Sequence, residues 1–237
     1  LCFTFISKLS TSQLRFNTHF LKYSVHFTHF DATMLFNQIF LAAAIVVPTI
    51  ATKTPKCTPF PSSMIEYSSN FKQPKPPLVQ PEFTTNFVQH KWDETLSHIM
   101  TGYIDNSPAK GLVRVNEAYD DAPASSIFNY ANVTKDGLVD NLMTIYNGTK
   151  PYVWQGYVNS NYPIFEKDFL VKNEAVFGGL VTRKFTDGNV ASWDIMYQGA
   201  IPVTIYVNTC NEIVGYDYFS PGRRTRVVTD FFNIQIS

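Results

Sequence analysis

Residues 175–219 read AVFGGLVTRKFTDGNVASWDIMYQGAIPVTIYVNTCNEIVGYDYF, and their punctuation decides the fold. Thr186-Asp187-Gly188-Asn189, Gln198-Gly199-Ala200 and Asn208-Thr209-Cys210-Asn211 are turn formers that cut the stretch into four short strands. Trp193, Ile195 and Tyr197 fall on one face of the pleat, and Val203, Ile205 and Val207 repeat the alternation. Connections this short join antiparallel neighbours, since parallel strands need a crossover of about a dozen residues or more. The stretch is an up-and-down antiparallel meander.

The same texture extends outward. Residues 83–91, 95–104, 112–119, 127–133, 138–146, 152–158 and 225–236 are rich in Val, Ile, Thr and aromatic residues, and each is flanked by Asp, Asn, Gly or Pro. Short strands at roughly ten-residue spacing predict a mainly β protein. The expected architecture is a strongly curved antiparallel sheet, a half-barrel or open barrel of about nine to eleven strands with one or two short helices. The helical interruption is expected over 162–173, where Pro163 suits a first turn and Phe165, Phe169 and Leu170 recur at helical spacing.

The N-terminal region has a different character. Residues 39–47 are nine consecutive apolar residues. That is a signal-peptide core in length and well short of the roughly 20 residues needed to span a bilayer. Residues 34–51, from Met34 to the small-residue site at Thr49-Ile50-Ala51, therefore read as a signal peptide. Residues 1–33, which contain no Met, read as an over-extended gene model outside the mature protein. Residues 52–81 hold seven Pro and should be an extended linker or surface strap, leaving 82–237 as a single β domain. This predicts an extracellular protein with no transmembrane segment in its mature chain. In that compartment Cys57 and Cys210, the two Cys left once residues 1–51 are removed, are expected to form a disulfide. Asn132 and Asn147 head Asn-x-Thr glycosylation acceptors.

The chain carries 19 basic and 19 acidic residues. A formal charge of zero argues against a nucleic-acid partner, which a basic surface would serve. There is no Gly-x-Ser-x-Gly elbow, no His-Glu-x-x-His, no Gly-rich phosphate loop and no Cys-x-x-Cys. No catalytic residue and no cofactor is assigned. His90 and His98, eight apart, have no third ligand at a fixed spacing, so no metal site is assigned either. Asp194 and Asp217 lie in apolar strands and would need a partner such as Arg114, Arg183 or Arg226. They leave a carboxylate-based hydrolase as an outside alternative. Gly222-Arg223-Arg224-Thr225-Arg226 is a small basic cluster at a turn, suited either to solvent or to an anionic head group at a cavity mouth.

Aromatic residues make up 15% of the chain. On a curved sheet they either fill the core or line a concave apolar cavity. The segments Thr101-Gly-Tyr-Ile-Asp-Asn-Ser-Pro-Ala-Lys-Gly-Leu-Val-Arg-Val-Asn116 and Trp193-Asp-Ile-Met-Tyr-Gln-Gly-Ala-Ile-Pro-Val-Thr-Ile-Tyr206, with Gly215-Tyr-Asp-Tyr218, resemble the paired strands of the LolA-like/ependymin-related superfamily. The resemblance spans roughly residues 83–234. It implies a half-open curved sheet plugged by helices that binds lipids or other hydrophobic molecules without catalysis. Animal ependymin-related proteins carry several cysteines in this domain, whereas here only Cys210 lies inside it. Parity places Trp154, Trp193, Tyr197, Ile205 and Tyr218 on the concave side as candidate ligand contacts. A surface-structural or interaction module with a filled core is the alternative.

Overall fold

The structure, a computed structural model, describes residues 57–64, 71–94, 96–119, 122–148 and 150–237. The expectations for residues 1–51 fall outside this set. Eleven strands follow one another: β1 (Phe83–Trp92), β2 (Ser97–Ser107), β3 (Leu112–Tyr119), β4 (Ala122–Val133), β5 (Val139–Ile145), β6 (Tyr152–Val158), β7 (Val176–Thr182), β8 (Asn189–Tyr197), β9 (Ile201–Val207), β10 (Ile213–Ser220) and β11 (Thr225–Ile236). They form one open antiparallel sheet in the order β6-β5-β4-β3-β2-β1-β11-β10-β9-β8-β7. Two meanders, β1–β6 and β7–β11, thus meet at a seam between the first and last strands. The expected fold class is the observed one.

The sheet curls strongly. A Cβ placed on Gly137, in the β4–β5 turn, would lie 3.5 Å from Nε2 of Gln198 in the β8–β9 turn, although these hairpins lie near opposite edges. Side chains alternate between a buried concave face and a more exposed convex one, as in β1, where Phe83, Thr85, Phe87 and Gln89 are all buried. Residues 159–175 then carry the chain from the β6 edge to the β7 edge across the concave face. Tyr162 packs on Phe87 and Phe128, with ring centroids 5.8 and 5.9 Å away. Phe165 packs on Phe83 and Tyr216 at 6.3 and 5.9 Å.

This crossover is where expectation and structure part. Only α1 (Phe169–Lys172) is helical, not 162–173. Backbone groups of Asn161, Tyr162, Phe165 and Lys167 bond to the sheet and strap. Asn106 receives the Phe165 N–H on Oδ1 at 3.0 Å and donates Nδ2 to the Phe165 carbonyl at 3.0 Å. Tyr130 donates its hydroxyl to the Tyr162 carbonyl. Val79 N–H donates to the Lys167 carbonyl at 2.9 Å. An extended segment that buries the Tyr162 and Phe165 rings and has its Phe165 backbone held on both sides by Asn106 outcompetes the helix.

The described parts of the Pro-rich segment are built into the domain. Val79 and Met64 are buried, Gln80 N–H reaches the Asn211 carbonyl at 2.9 Å, and Cys57 is bridged to Cys210. The segment is therefore a strap over one end of the sheet, pinned at the β9–β10 turn.

Gly102 shows how closely the central strands approach. It pairs with Phe87, and a Cβ there would lie 2.6 Å from Phe87 Cε1 and 2.3 Å from the Asn116 carbonyl oxygen. Gly102→Ala is expected to lower stability by about 1–3 kcal/mol, the range for overpacking a tight site. A fall in the urea midpoint with an unchanged slope would show it.

Candidate functional site

Register turns the concave face into rows. One row runs Gln89–Thr229–Tyr216–Ile205–Trp193–Phe177, and the row above it runs Lys91–Val227–Tyr218–Val203–Ile195. Above these stand Thr225 opposite Ser220, and Ile201 opposite Tyr197. The crossover covers the lower row, with the Tyr216 hydroxyl donating to the Asn161 carbonyl at 3.0 Å. The upper rows border a cavity of about 420 Å³ lined by Tyr197, Ile201, Val203, Tyr216, Tyr218 and Phe169, with Lys91, Asp93, Glu94 and Arg223 among its polar residues.

The wall is mixed: Phe169, Ile201, Val203 and the tyrosine rings form an apolar side, and charged residues with Asn159, Ser160, Asn161, Ser220 and Thr225 form a polar one. Burial pushes the Tyr218 hydroxyl up to about 12 and raises that of Tyr197, so both stay protonated at physiological pH. Among the described residues neither phenol has a hydrogen-bond partner, which leaves two donors bordering the cavity. Asp93 accepts the Thr225 hydroxyl at 2.6 Å, and this bond, with Lys91 at 3.3 Å, holds its carboxyl below the usual range. Arg224, next to Arg223, pairs in the open with Glu94 at 2.8 Å. Of the basic residues at 222–226, Arg223 lines the cavity, Arg224 is exposed beside it, and Arg226 lies on the other face, 5.8 Å over the Trp92 ring.

The five parity-derived residues separate by row. Tyr197 and Tyr218 border the cavity. Trp193 and Ile205 lie in the covered row, Ile205 fully buried and Trp193 packed on Phe177 at 5.5 Å. Trp154 shares their face but stands at the far edge, paired with Met143 on β5. Sequence reasoning missed Phe169, Tyr216, Ile201 and Val203. The alternation of Tyr216 with Tyr218 was readable, but the row it occupies depends on long-range register.

Of the two candidate carboxylates, Asp217 is in an ion pair on the convex face and Asp194 is not. Arg183, from the β7–β8 turn, binds Asp217 at 3.1 Å and Asp230 at 2.7 Å, and its guanidinium lies 4.0 Å over the Tyr206 ring. Burial holds the Asp230 carboxyl above its ordinary value despite Arg183. Asp194, exposed, accepts the Thr204 hydroxyl at 2.5 Å. His90 and His98 lie on opposite faces, because the hairpin pairs Lys91, not His90, with His98. Among the described residues no group of three or more His, Cys, Asp or Glu is placed to hold a metal. Asn132 and Asn147 are both exposed, Asn132 accepting the Tyr157 hydroxyl at 3.0 Å.

No family model matches the chain, and no curated protein matches it. Solved structures do. A DUF1329 family protein from Desulfovibrio piger ATCC 29098 aligns with a TM-score of 0.31 at 10% identity, over 67% of this chain and 86% of that one. PNGF-II aligns with a TM-score of 0.31 at 8% identity, over 65% of this chain and 27% of that one. What stands is a class defined by architecture: an open, curved, all-antiparallel sheet with a disulfide-pinned strap and a cavity on its concave face. No helix among the described residues is long and apolar enough to cross a membrane.

Proposed function

We propose that this is a secreted, N-glycosylated, non-enzymatic carrier that holds a lipid or other hydrophobic molecule in the concave cavity, as the LolA-like/ependymin-related resemblance implies. The observation that carries this reading is the cavity itself. Its 420 Å³ falls within the roughly 300–1,000 Å³ typical of small-molecule sites, and an apolar side of Phe169, Ile201, Val203 and tyrosine rings faces a polar rim. The neighbouring row is filled by core side chains, so this cavity stops at the end bordered by Tyr197 and Tyr218. An acyl chain or fused-ring body would lie against Ile201, Val203 and Phe169. Its oxygen-bearing end would meet the phenols, Lys91 or Arg223.

The test is native mass spectrometry of protein purified from secreting cells, followed by titration with a fluorescent fatty-acid analogue. Ile201→Trp, which fills the cavity from a half-buried position, is expected to weaken binding at least tenfold while leaving the thermal midpoint near that of the parent. A folded wild-type protein with no co-purifying and no titratable hydrophobic ligand would overturn the proposal.

A further inference from the structure

Trp154 is left without a role by the cavity, and its strand is unusual. An open sheet has two edges, and exposed edges are normally blunted by charge, proline or a bulge, because their unpaired N–H and C=O groups recruit other strands. The β7 edge is blunted. Its register with β8 shifts between Phe177 and Gly179, and Gly179 adopts φ +128°. The β6 edge has none of these defences. Tyr-Val-Trp-Gln-Gly-Tyr-Val contains no charged residue and no proline, and all seven residues pair with β5 without a shift. Apolar side chains stand out on both of its faces, with Tyr152 and Val153 each 58% exposed and Tyr157 48% exposed.

We infer that β6 is an interaction edge and that its occupant is a second copy of this chain, paired antiparallel about a two-fold axis through Gln155. The strand complements itself in that register. To keep each concave face on the same side, residue numbers of paired positions must sum to an even value. Centring on Gln155 is the one such arrangement that pairs all seven residues. Val153 then faces Tyr157 of the other copy, and Trp154 faces Gly156. Each indole already leans over its own Gly156, where a Cβ would lie 2.6 Å from Trp154 Cζ2. Across the axis the two indoles therefore approach each other, over the two glycines that leave them room. No like charges are opposed on the strand. Gln155 Nε2 donates to Asp140 at 3.2 Å across the β5 pairing, so the central residue of the strand is already held. The product is an isologous dimer in which two sheets run into one.

Sedimentation velocity on the full chain as secreted tests this. Wild type is expected to be dimeric at micromolar concentration. The variants Val153→Lys/Tyr157→Lys and Val153→Glu/Tyr157→Glu change exposed positions and place like charges opposite each other, so each alone should dissociate at least tenfold more readily. Mixed, they should recover a heterodimer, because the register then sets both lysines of one copy against both glutamates of the other. A monomeric wild type overturns the inference, as does a dimer that both variants retain. A dimer that both variants lose and the mixture does not restore overturns the register. Ligand binding by the monomeric variants is read separately, so failure here leaves the carrier reading standing.

Discussion

Arg183→Ala is expected to destabilise the protein by about 3–5 kcal/mol at neutral pH, the range for breaking a buried ion pair from one side. The guanidinium is nearly buried and serves both Asp217 and Asp230, while also donating to the Thr229 carbonyl at 3.2 Å. Without it Asp217 and Asp230 lose their shared cation, and the attraction that offsets the desolvation of Asp230 is lost. The loss should depend on pH. Burial already raises the folded-state value for Asp230, so its contribution to stability falls as pH rises above the ordinary carboxylate range of about 4. Removing Arg183 raises that folded value further and widens the window over which stability falls. Parent and variant should therefore differ least near pH 4.5 and most near pH 7.5. Equal differences in urea-derived stability at the two pH values would refute this account.

Replacing both Cys57 and Cys210 with Ser is expected to cost up to about 5 kcal/mol. The bridge spans 153 residues, and loop-closure entropy grows with the logarithm of loop length, so this crosslink sits near the top of the usual range. The loss should begin locally. Thr58 N–H bonds to the Thr209 carbonyl at 3.1 Å beside the bridge, and the strap continues through Val79 and Gln80. Once unpinned, its amides should exchange faster than those of β8 and β9, which are held by pairing on both sides. Hydrogen exchange of the double variant resolves this. Protection at Val79 and Gln80 equal to the parent's would show that the strap holds without the bridge.

The sequence made the strands legible because each carries its own evidence: alternation such as Trp193, Ile195 and Tyr197, ended by a turn such as Gln198-Gly199-Ala200. The Cys57–Cys210 pairing was legible because these are the only two cysteines after residue 51. The crossover was not. Phe165, Phe169 and Leu170 have helical spacing, yet Asn106, fifty-nine residues from Phe165 in sequence, captures the Phe165 backbone and keeps it extended. The site was half legible for the same reason. Parity placed five side chains on one face, but which of them border a cavity depends on where residues 159–175 cross. That placement is set by contacts such as Phe165 with Phe83 and Tyr216, which no local pattern encodes.

The seam between β1 and β11 shapes how the domain is made. Every other pairing in the sheet joins strands adjacent in sequence, so each meander zips up through short turns. The seam instead unites positions such as Thr85 and Phe232, 147 residues apart. As the polypeptide emerges from the ribosome, β1 is among the first strands made and its partner is the last. Its inner edge therefore waits unpaired for most of the synthesis, alongside Phe83 and Phe87, which belong to the finished core. At ribosomal rates of roughly 5–20 residues per second that wait is on the order of ten seconds, a period in which a chaperone, not the fold, must guard the strand.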